Sequence, residues 1–313
     1  MTTSTTPSRP DRIHGIRYDY DARAKEYLTT CNLCGAAIWT VLTHVDRYGY
    51  RASTTACSAC SLVVLNPRMT SASYDEFYRH VYRPLVSAYH GRLIDATTVQ
   101  AEQHLYAMDM ADMLAPFMAR VRGGRFLDVG GSTGIVAALL RSRFDLKATV
   151  LDPAPAEIAE ADALDIETIT GLAEEWEPAG RRFEFVGMFQ TIDHLLDVSA
   201  TLHKLREIIE PEGIFVVDIV DFRAAYLRQG SVEAAVKIDH PYSLTEDTME
   251  AYLARVGFEP VHRSYSADHL HVAFVCRPCD PRPDARPAPS TVREFFREIR
   301  QVQNSMRHHP GAP

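Results

Sequence analysis

FLDVGGSTGIVAALL, residues 126–140, runs from an apolar strand-like segment through a glycine turn straight into an apolar helical pattern. The strand ends near Asp128, and the chain then bends through Gly130, Gly131, Ser132, Thr133 and Gly134. Glycines at such a bend let the backbone approach a ligand closely and leave the first N–H groups of the helix aimed at an anionic group. A dinucleotide fingerprint demands glycine where Ser132 stands in the frame starting at Gly130, so a nicotinamide dinucleotide fits poorly.

Downstream the strand-then-helix syntax repeats. KATVLD and PAEIAEADAL are followed by IETIT, by FEFVGMFQ with a helix from Ala200 to Ile209, and by GIFVVDIV with the helix TEDTMEAYLARVGF. This alternation predicts an α/β fold with a Rossmann-like, mainly parallel sheet. FEPVHRS and LHVAFVC close the series as a hairpin. After the Pro- and Arg-rich RPCDPRPDARPAPS, the stretch STVREFFREIRQVQNSM reads as an amphipathic helix that packs on the domain or on a second subunit, so a homodimer stays open. Upstream, YDEFYRHVYRPLVSAYHGRL and VQAEQHLYAMDMADMLAPFMARV carry apolar residues at helical spacing, such as Leu105, Met108, Leu114, Phe117 and Met118, and are expected to cover a site as a helical lid.

All six cysteines lie in Cys-x-x-Cys pairs. Cys31/Cys34 and Cys57/Cys60 each sit in a turn-like context, with 22 residues of strand-like sequence between them. Four thiolates at this spacing make a closed tetrahedral zinc site, structural because no coordination position stays open, and mark a zinc ribbon. His44 is an alternative ligand that the spacing does not require. Cys276 and Cys279 have no partner pair and are read as one core thiol and one exposed thiol. The expected division is an N-terminal arm 1–30, loose at its start, the ribbon 31–70, a helical lid 71–122, the α/β domain 123–278, and a spacer with a terminal helix 279–313.

The turn DVGGSTG resembles the first motif of class I S-adenosylmethionine-dependent methyltransferases, with Ser132 in place of a glycine. The resemblance implies that Asp128, Gly130, Gly131, Ser132 and Gly134 hold the methionine part of the cofactor. It further implies that Asp152, ending KATVLD and followed by Pro153, accepts the ribose hydroxyls, and that Gly171 and Leu172 in TGLAEEWE line the adenine. GMFQTIDHLLDV is similar to the family's segment after the fourth strand, which brings in Gln190 beside the cofactor and Asp193 and His194 towards the methyl group. Across residues 100–278 the Pro-x-Gly turn and YLARVGFEPV repeat the family's order of elements.

KIDHPYSLTEDTM and CSLVVLNPRMT resemble zinc-containing sugar C-methyltransferases, which implies His240 as base, Asp239 as its partner and Tyr242 beside them. Those enzymes carry a further domain after the sheet, whereas only residues 280–313 follow Cys279 here. The shorter chain is therefore expected to resemble aminosugar N-methyltransferases of antibiotic biosynthesis, acting on an amino group of an aminoglycoside or aminosugar. C-methylation of a keto-sugar nucleotide, O-methylation, and an inactive scaffold whose ribbon binds a partner are the alternatives. Tyr18, Tyr20, Tyr78 and Tyr82 are read as packing residues of the helices, with a substrate-lining role as the alternative.

Bulk composition narrows the partners. Asp and Glu outnumber Lys and Arg by 41 to 33, giving a formal net charge of -8 that opposes a phosphate backbone and suits a cationic substrate, so no nucleic acid is expected. No apolar run is long enough for a signal sequence or a membrane span, and a cytoplasmic protein without a membrane partner is expected.

Overall fold

The computed structural model describes residues 7–308. The loose start expected for the N-terminal arm falls on residues 1–6, outside the described residues. In chain order the first elements are α1 (Arg9–His14), β1 (Lys25–Glu26), β2 (Trp39–Thr43), β3 (Thr54–Cys57), β4 (Val63–Leu65) and β5 (Arg68–Met69). Three helices follow, α2 (Ser71–His80), α3 (Tyr82–His90) and α4 (Ala96–Leu114). Then come β6 (Arg125–Val129), α5 (Ile135–Phe144), β7 (Lys147–Asp152), α6 (Pro155–Ala163), β8 (Glu167–Thr170), β9 (Phe183–Met188), α7 (Val198–Ile208) and β10 (Ile209–Val220). The chain finishes with α8 (Phe222–Gln229), α9 (Val232–Ala235), β11 (Tyr242–Ser243), α10 (Glu246–Val256), β12 (Phe258–Tyr265), β13 (His271–Pro278) and α11 (Pro289–His308).

Seven strands form the central sheet in the order β12-β13-β10-β9-β6-β7-β8. β8, β7, β6, β9 and β10 run parallel, and β13 runs against them, antiparallel to both of its neighbours, β10 and β12. A parallel strand covered on both faces reads as a continuous apolar run, and the middle of β10 is buried throughout while β6 exposes only Arg125. Phe126 and Phe185 stack across β6 and β9 with ring centroids 4.4 Å apart. The strand order reverses between β6 and β9, so a crevice opens beyond their carboxyl ends, where open α/β sheets bind ligands.

The second sheet is antiparallel, in the order β11-β4-β3-β2. Its fourth strand comes from far along the chain: Tyr242 pairs with Val64, and Ser243 with Val63. The cysteines share one apolar core with the central sheet, where Cys31, Cys57 and Cys60 pack with Leu195, Tyr242 and Tyr252. Asn32, between the first two cysteines, donates to Asp197 at 2.8 Å and accepts from Ser199 N and the Tyr252 hydroxyl. The cysteine region is thus bound to the start of α7 and to α10.

One sequence expectation is corrected in α4. Leu105 and Met108 face outward, 67% and 47% exposed, because the helix buries Ala107, Ala111 and the expected Leu114 against α5. The terminal helix α11 packs on its own chain, with Phe295 and Ile299 against Leu42, Phe222 and Tyr226, and Gln303 donates to the Leu42 carbonyl. No described helix is long and apolar enough to cross a membrane.

Candidate active site

The bend after β6 is held by contacts that tolerate no side chain. Gly130 (φ 72°) lies against the Thr191 side chain, and a Cβ on Gly131 would stand 2.8 Å from the Asp128 carboxylate. Gly134 (φ 75°) abuts Ala161 of α6. Ser132 also takes a positive φ, 50°, fixed by a 2.9 Å bond from its backbone N–H to Asp152 Oδ2. Beside this bend runs a crevice of about 510 Å³, lined by Gly130, Leu151, Pro153, Ala154, Gly171 and Leu172 on the central-sheet side. Tyr74, Tyr78 and Arg79 of α2 close it from the other side, and Leu28, Asn32 and Tyr242 from below.

Two carboxylates behind the bend test which cofactor suits it. Asp152 accepts from Ser132 N and, through Oδ1, from Ala154 N at 2.8 Å, leaving further lone pairs on both oxygens for a diol. Burial raises its carboxyl to about 6. Asp128 is fully buried and neither of its oxygens has a hydrogen-bond partner. Burial and the neighbouring Asp152 push its carboxyl up to about 8. An orphaned buried carboxylate beside a glycine bend calls for a cationic donor, and an amino-acid ammonium on an adenosyl ligand meets that need. The residues therefore fit S-adenosylmethionine.

A second cavity of about 280 Å³ lies next to the crevice. Tyr82, Gln190, Asp193, His194, Lys237, His240 and His271 line it, together with Arg47 from the β2–β3 hairpin. His194 lines both cavities. Gln190 stands at φ 52°, just beyond β9, with its N–H bonded to Asp218 Oδ1 at 2.6 Å. Such a backbone, held by its surroundings, is the kind of local strain that concentrates at functional sites.

The imidazoles have defined partners. His194 Nδ1 is 2.9 Å from the Asp239 carbonyl and 2.8 Å from the Tyr78 hydroxyl, which itself donates to that carbonyl at 2.8 Å. A carbonyl only accepts, so Nδ1 carries the proton and Nε2 keeps its lone pair. Burial and the nearby His240 push His194 down to about 4, against the opposing pull of Asp193 and Asp239. It stays neutral at physiological pH.

His240 Nδ1 lies 2.6 Å from Asp193 Oδ2, and Lys237 Nζ is 2.9 Å from His240 Nε2. Burial alone would raise the Asp193 carboxyl, yet the charge and hydrogen bond of His240, with His194 and Lys237 behind them, hold it well below the usual carboxylate range. Asp239 is likewise held low against burial by Lys237 and His240. Burial lowers Lys237, opposed by Asp239 and Asp193.

The four cysteines form the third feature. Their sulfurs lie within 4.8 Å of one another, with Cys31–Cys60 at 3.5 Å and Cys34–Cys57 at 3.6 Å. Tetrahedral zinc thiolates need sulfur–sulfur edges of about 3.8 Å, from Zn–S bonds of about 2.3 Å. The cluster fits such an ion. His44 is exposed, bonds Ser53 through Nδ1 at 3.1 Å and is not part of the cluster.

A family model described as a methyltransferase domain matches residues 102–263, from α4 into β12. The chain belongs to the methyltransferase domain family. The ubiquinone biosynthesis O-methyltransferase of Azorhizobium caulinodans is 30% identical to the chain over 107 residues, 32% of this chain and 42% of that one. The Cereibacter sphaeroides protein of the same name is 27% identical over 166 residues, 49% of this chain and 66% of that one. The chain thus spans between two fifths and two thirds of the length of these curated relatives. Among solved structures, an S-adenosylmethionine-dependent methyltransferase from Clostridium acetobutylicum aligns with a TM-score of 0.48 at 11% identity, covering 66% of this chain and 99% of that one.

The methyltransferase domain gathers the sequence-derived residues unevenly. Gly130, Pro153, Gly171 and Leu172 line the crevice, Gly131, Ser132 and Gly134 build the bend, and Gln190 faces the second cavity instead. Asp193, His194 and His240 meet in that cavity, but the carboxylate bonded to His240 is Asp193, while Asp239 Oδ2 stands 3.5 Å away. Asp239 contributes its carbonyl, fixing His194. Tyr242 is fully buried, pairs with β4 and bonds the Leu196 carbonyl at 3.1 Å, so it lines the crevice and not the second cavity. Tyr78 and Tyr82 face the two cavities, whereas Tyr18 and Tyr20 pack in an aromatic cluster with Tyr50. Arg47, Lys237 and His271 had not been singled out. Lys237 carried a usable signal, since KIDH puts it three residues before His240.

Proposed function

We propose that this chain is an S-adenosylmethionine-dependent methyltransferase whose acceptor is an amino group of a sugar-sized molecule in the 280 Å³ chamber. The observation that carries this reading is the position of His194, which walls both cavities and so marks where cofactor and acceptor adjoin. When bound, the cofactor supplies a methyl group already made electrophilic by its sulfonium, so the protein has to align the acceptor and remove one proton.

Asp152 and the Gly130–Gly134 bend bind the adenosyl part, Gly171 and Leu172 flank the base, and α2 covers the crevice as a lid. His194, neutral with its Nε2 lone pair free, accepts an N–H of the acceptor and turns the amine lone pair towards the crevice. His240 takes the proton at Nε2, displacing Lys237 Nζ from that nitrogen, and buried Asp193 at Nδ1 stabilises the imidazolium that results. Zinc held by Cys31, Cys34, Cys57 and Cys60 stabilises the second sheet, and through β11 the loop that carries His240.

A second reading, methylation of a carbon next to a ketone, is favoured by Lys237, whose cation would stabilise an enolate oxygen. One panel separates the readings. The protein is incubated with S-adenosylmethionine and with aminosugars, aminoglycosides, plain sugars and keto-sugar nucleotides, and products are read by mass spectrometry for the gain of one methylene. Gain on amines only is expected. Gain that requires a keto group overturns the amine reading, and no gain together with no thermal shift by S-adenosylhomocysteine leaves an inactive scaffold.

A further inference from the structure

The cysteine region supplies a cation to the acceptor chamber. Arg47 stands at the tip of the β2–β3 hairpin, and Asp46 beside it bonds Tyr48 N, Tyr50 N and, across the molecule, Ile238 N at 3.0 Å. Arg47 N donates to the Val236 carbonyl at 3.0 Å. The hairpin tip is thereby clamped to the segment that carries Lys237 and His240, and the Arg47 side chain becomes part of the chamber wall.

Its guanidinium is provided for on one side only. The carbon lies 4.5 Å over the Tyr89 ring, which takes Arg9 at the same distance. Arg47 Nε is buried without a hydrogen-bond partner. Among the described residues no carboxylate lies within ion-pair distance of Arg9, Arg47 or Lys237. Of the nearby carboxylates, Asp193 is bonded to His240 and Asp46 to three backbone N–H groups, while Asp239 acts on Lys237 beyond ion-pair distance, so that, among the described residues, Arg47 is the chamber cation left without a carboxylate.

A second lining residue, His271, also keeps a buried ring nitrogen, Nδ1, without a partner. A buried cation without an ion pair of its own is costly, and here Arg47 and Lys237, both half-buried, line one chamber, while Arg9 on the Tyr89 ring is exposed. Arg47 and Lys237 also repel each other, since Arg47 helps to lower Lys237. Such a cluster is relieved by an anionic ligand.

We infer that the acceptor is recognised through an anionic group, a phosphate ester or a carboxylate, bound by the Arg47 guanidinium with Lys237 behind it. A guanidinium is suited to this because its planar fork matches both groups in two-point contact. At about 280 Å³ the chamber sits at the lower edge of the usual range for ligand pockets, about 300–1,000 Å³, so it suits one ring with its charged substituent and not a chain of cationic rings. The inference rests on the acceptor-chamber reading above and specifies its substrate class as a negatively charged sugar. It turns the expectation drawn from net charge around: the charge of the whole chain says little about a pocket that carries Arg47 and Lys237 in its lining.

Titration calorimetry on the full chain with S-adenosylhomocysteine bound tests this, using glucosamine 1-phosphate, glucuronic acid and glucosamine as probes. Either anionic sugar is expected to bind at least about tenfold more tightly than glucosamine, a difference of about 1.4 kcal/mol. Whichever of the two gains more tells phosphate from carboxylate. Arg47→Ala and Arg47→Gln should each erase the preference, Arg47→Lys should restore part of it, and affinity for S-adenosylhomocysteine should stay within about twofold. Glucosamine binding as tightly as the anionic sugars in the unmodified protein overturns the inference, as does a preference that survives both Arg47 variants. Failure of S-adenosylhomocysteine to bind would instead defeat the methyltransferase reading and leave the anion preference to be measured without it.

Discussion

The crevice beside Gly130 and the chamber beside Lys237 adjoin at His194 but are built by different means. The crevice takes its central-sheet wall from successive β-strand ends and the bends that follow them, and its selectivity rests largely on backbone: Gly130, Gly131 and Gly134 because a Cβ would collide, Asp152 because two N–H groups orient it. The chamber takes Arg47, Tyr82, Asp193, Lys237 and His271 from five separated segments, and its character rests on charged side chains packed closely enough to shift one another. A backbone pocket is set once its strand and helix are formed. A side-chain pocket exists only when every contributing segment is in register.

That contrast can be broken experimentally, most forcefully at His240. His240→Ala should lower kcat by about 10²- to 10³-fold, the usual worth of a positioned base, while S-adenosylhomocysteine affinity stays within about twofold by calorimetry. Equal losses in both would mean that the two cavities are one functional unit.

The next effect comes from pH. His194 titrates near 6.5 in the unfolded chain and is pushed down to about 4 in the folded one by burial and by His240, so between these values the unfolded state binds the extra proton. Stability contributed by the neutral ring is therefore present above about pH 6.5 and is lost as pH falls towards 4, by on the order of 3 kcal/mol for a shift of this size. Urea unfolding at pH 7, 6 and 5 should show a shallower pH dependence for His194→Gln than for the unmodified protein, and parallel curves would remove His194 from the coupled cluster. The smallest change is expected in the crevice. Asp152→Ala should weaken S-adenosylhomocysteine binding about 10-fold, in keeping with loss of a charge-assisted hydrogen bond worth about 1.5 kcal/mol, and leave unchanged the preference for anionic over neutral sugars at saturating cofactor.

The same contrast explains what could be read from residues alone. The Rossmann-like order followed from alternation that is local in sequence, and so did the bend at Gly130–Gly134, because one segment carries the strand, the turn and the helix. The outward face of α4 was misjudged because Leu105 and Met108 match a helical period, whereas the buried stripe uses alanines that a search for large apolar residues passes over. The resemblance names Asp239 as the partner of His240, and its Oδ2 does stand 3.5 Å from Nε2, but the shorter contact, 2.6 Å at Nδ1, comes from Asp193, which no local pattern around His240 could reveal. Arg47 had no local signal at all. Its relation to Val236 and Ile238 exists only after the hairpin tip docks.

Two residues of β11, Tyr242 and Ser243, complete a sheet whose other strands lie almost two hundred positions earlier. Anyone seeking to transplant this cysteine knuckle onto another scaffold, or to exchange it for a shorter loop, would cut through a shared hydrogen-bonded seam instead of a boundary. The transferable piece is the pair of segments together, and a chimera that moves one without the other begins with an unzipped edge where the loop carrying His240 should be anchored.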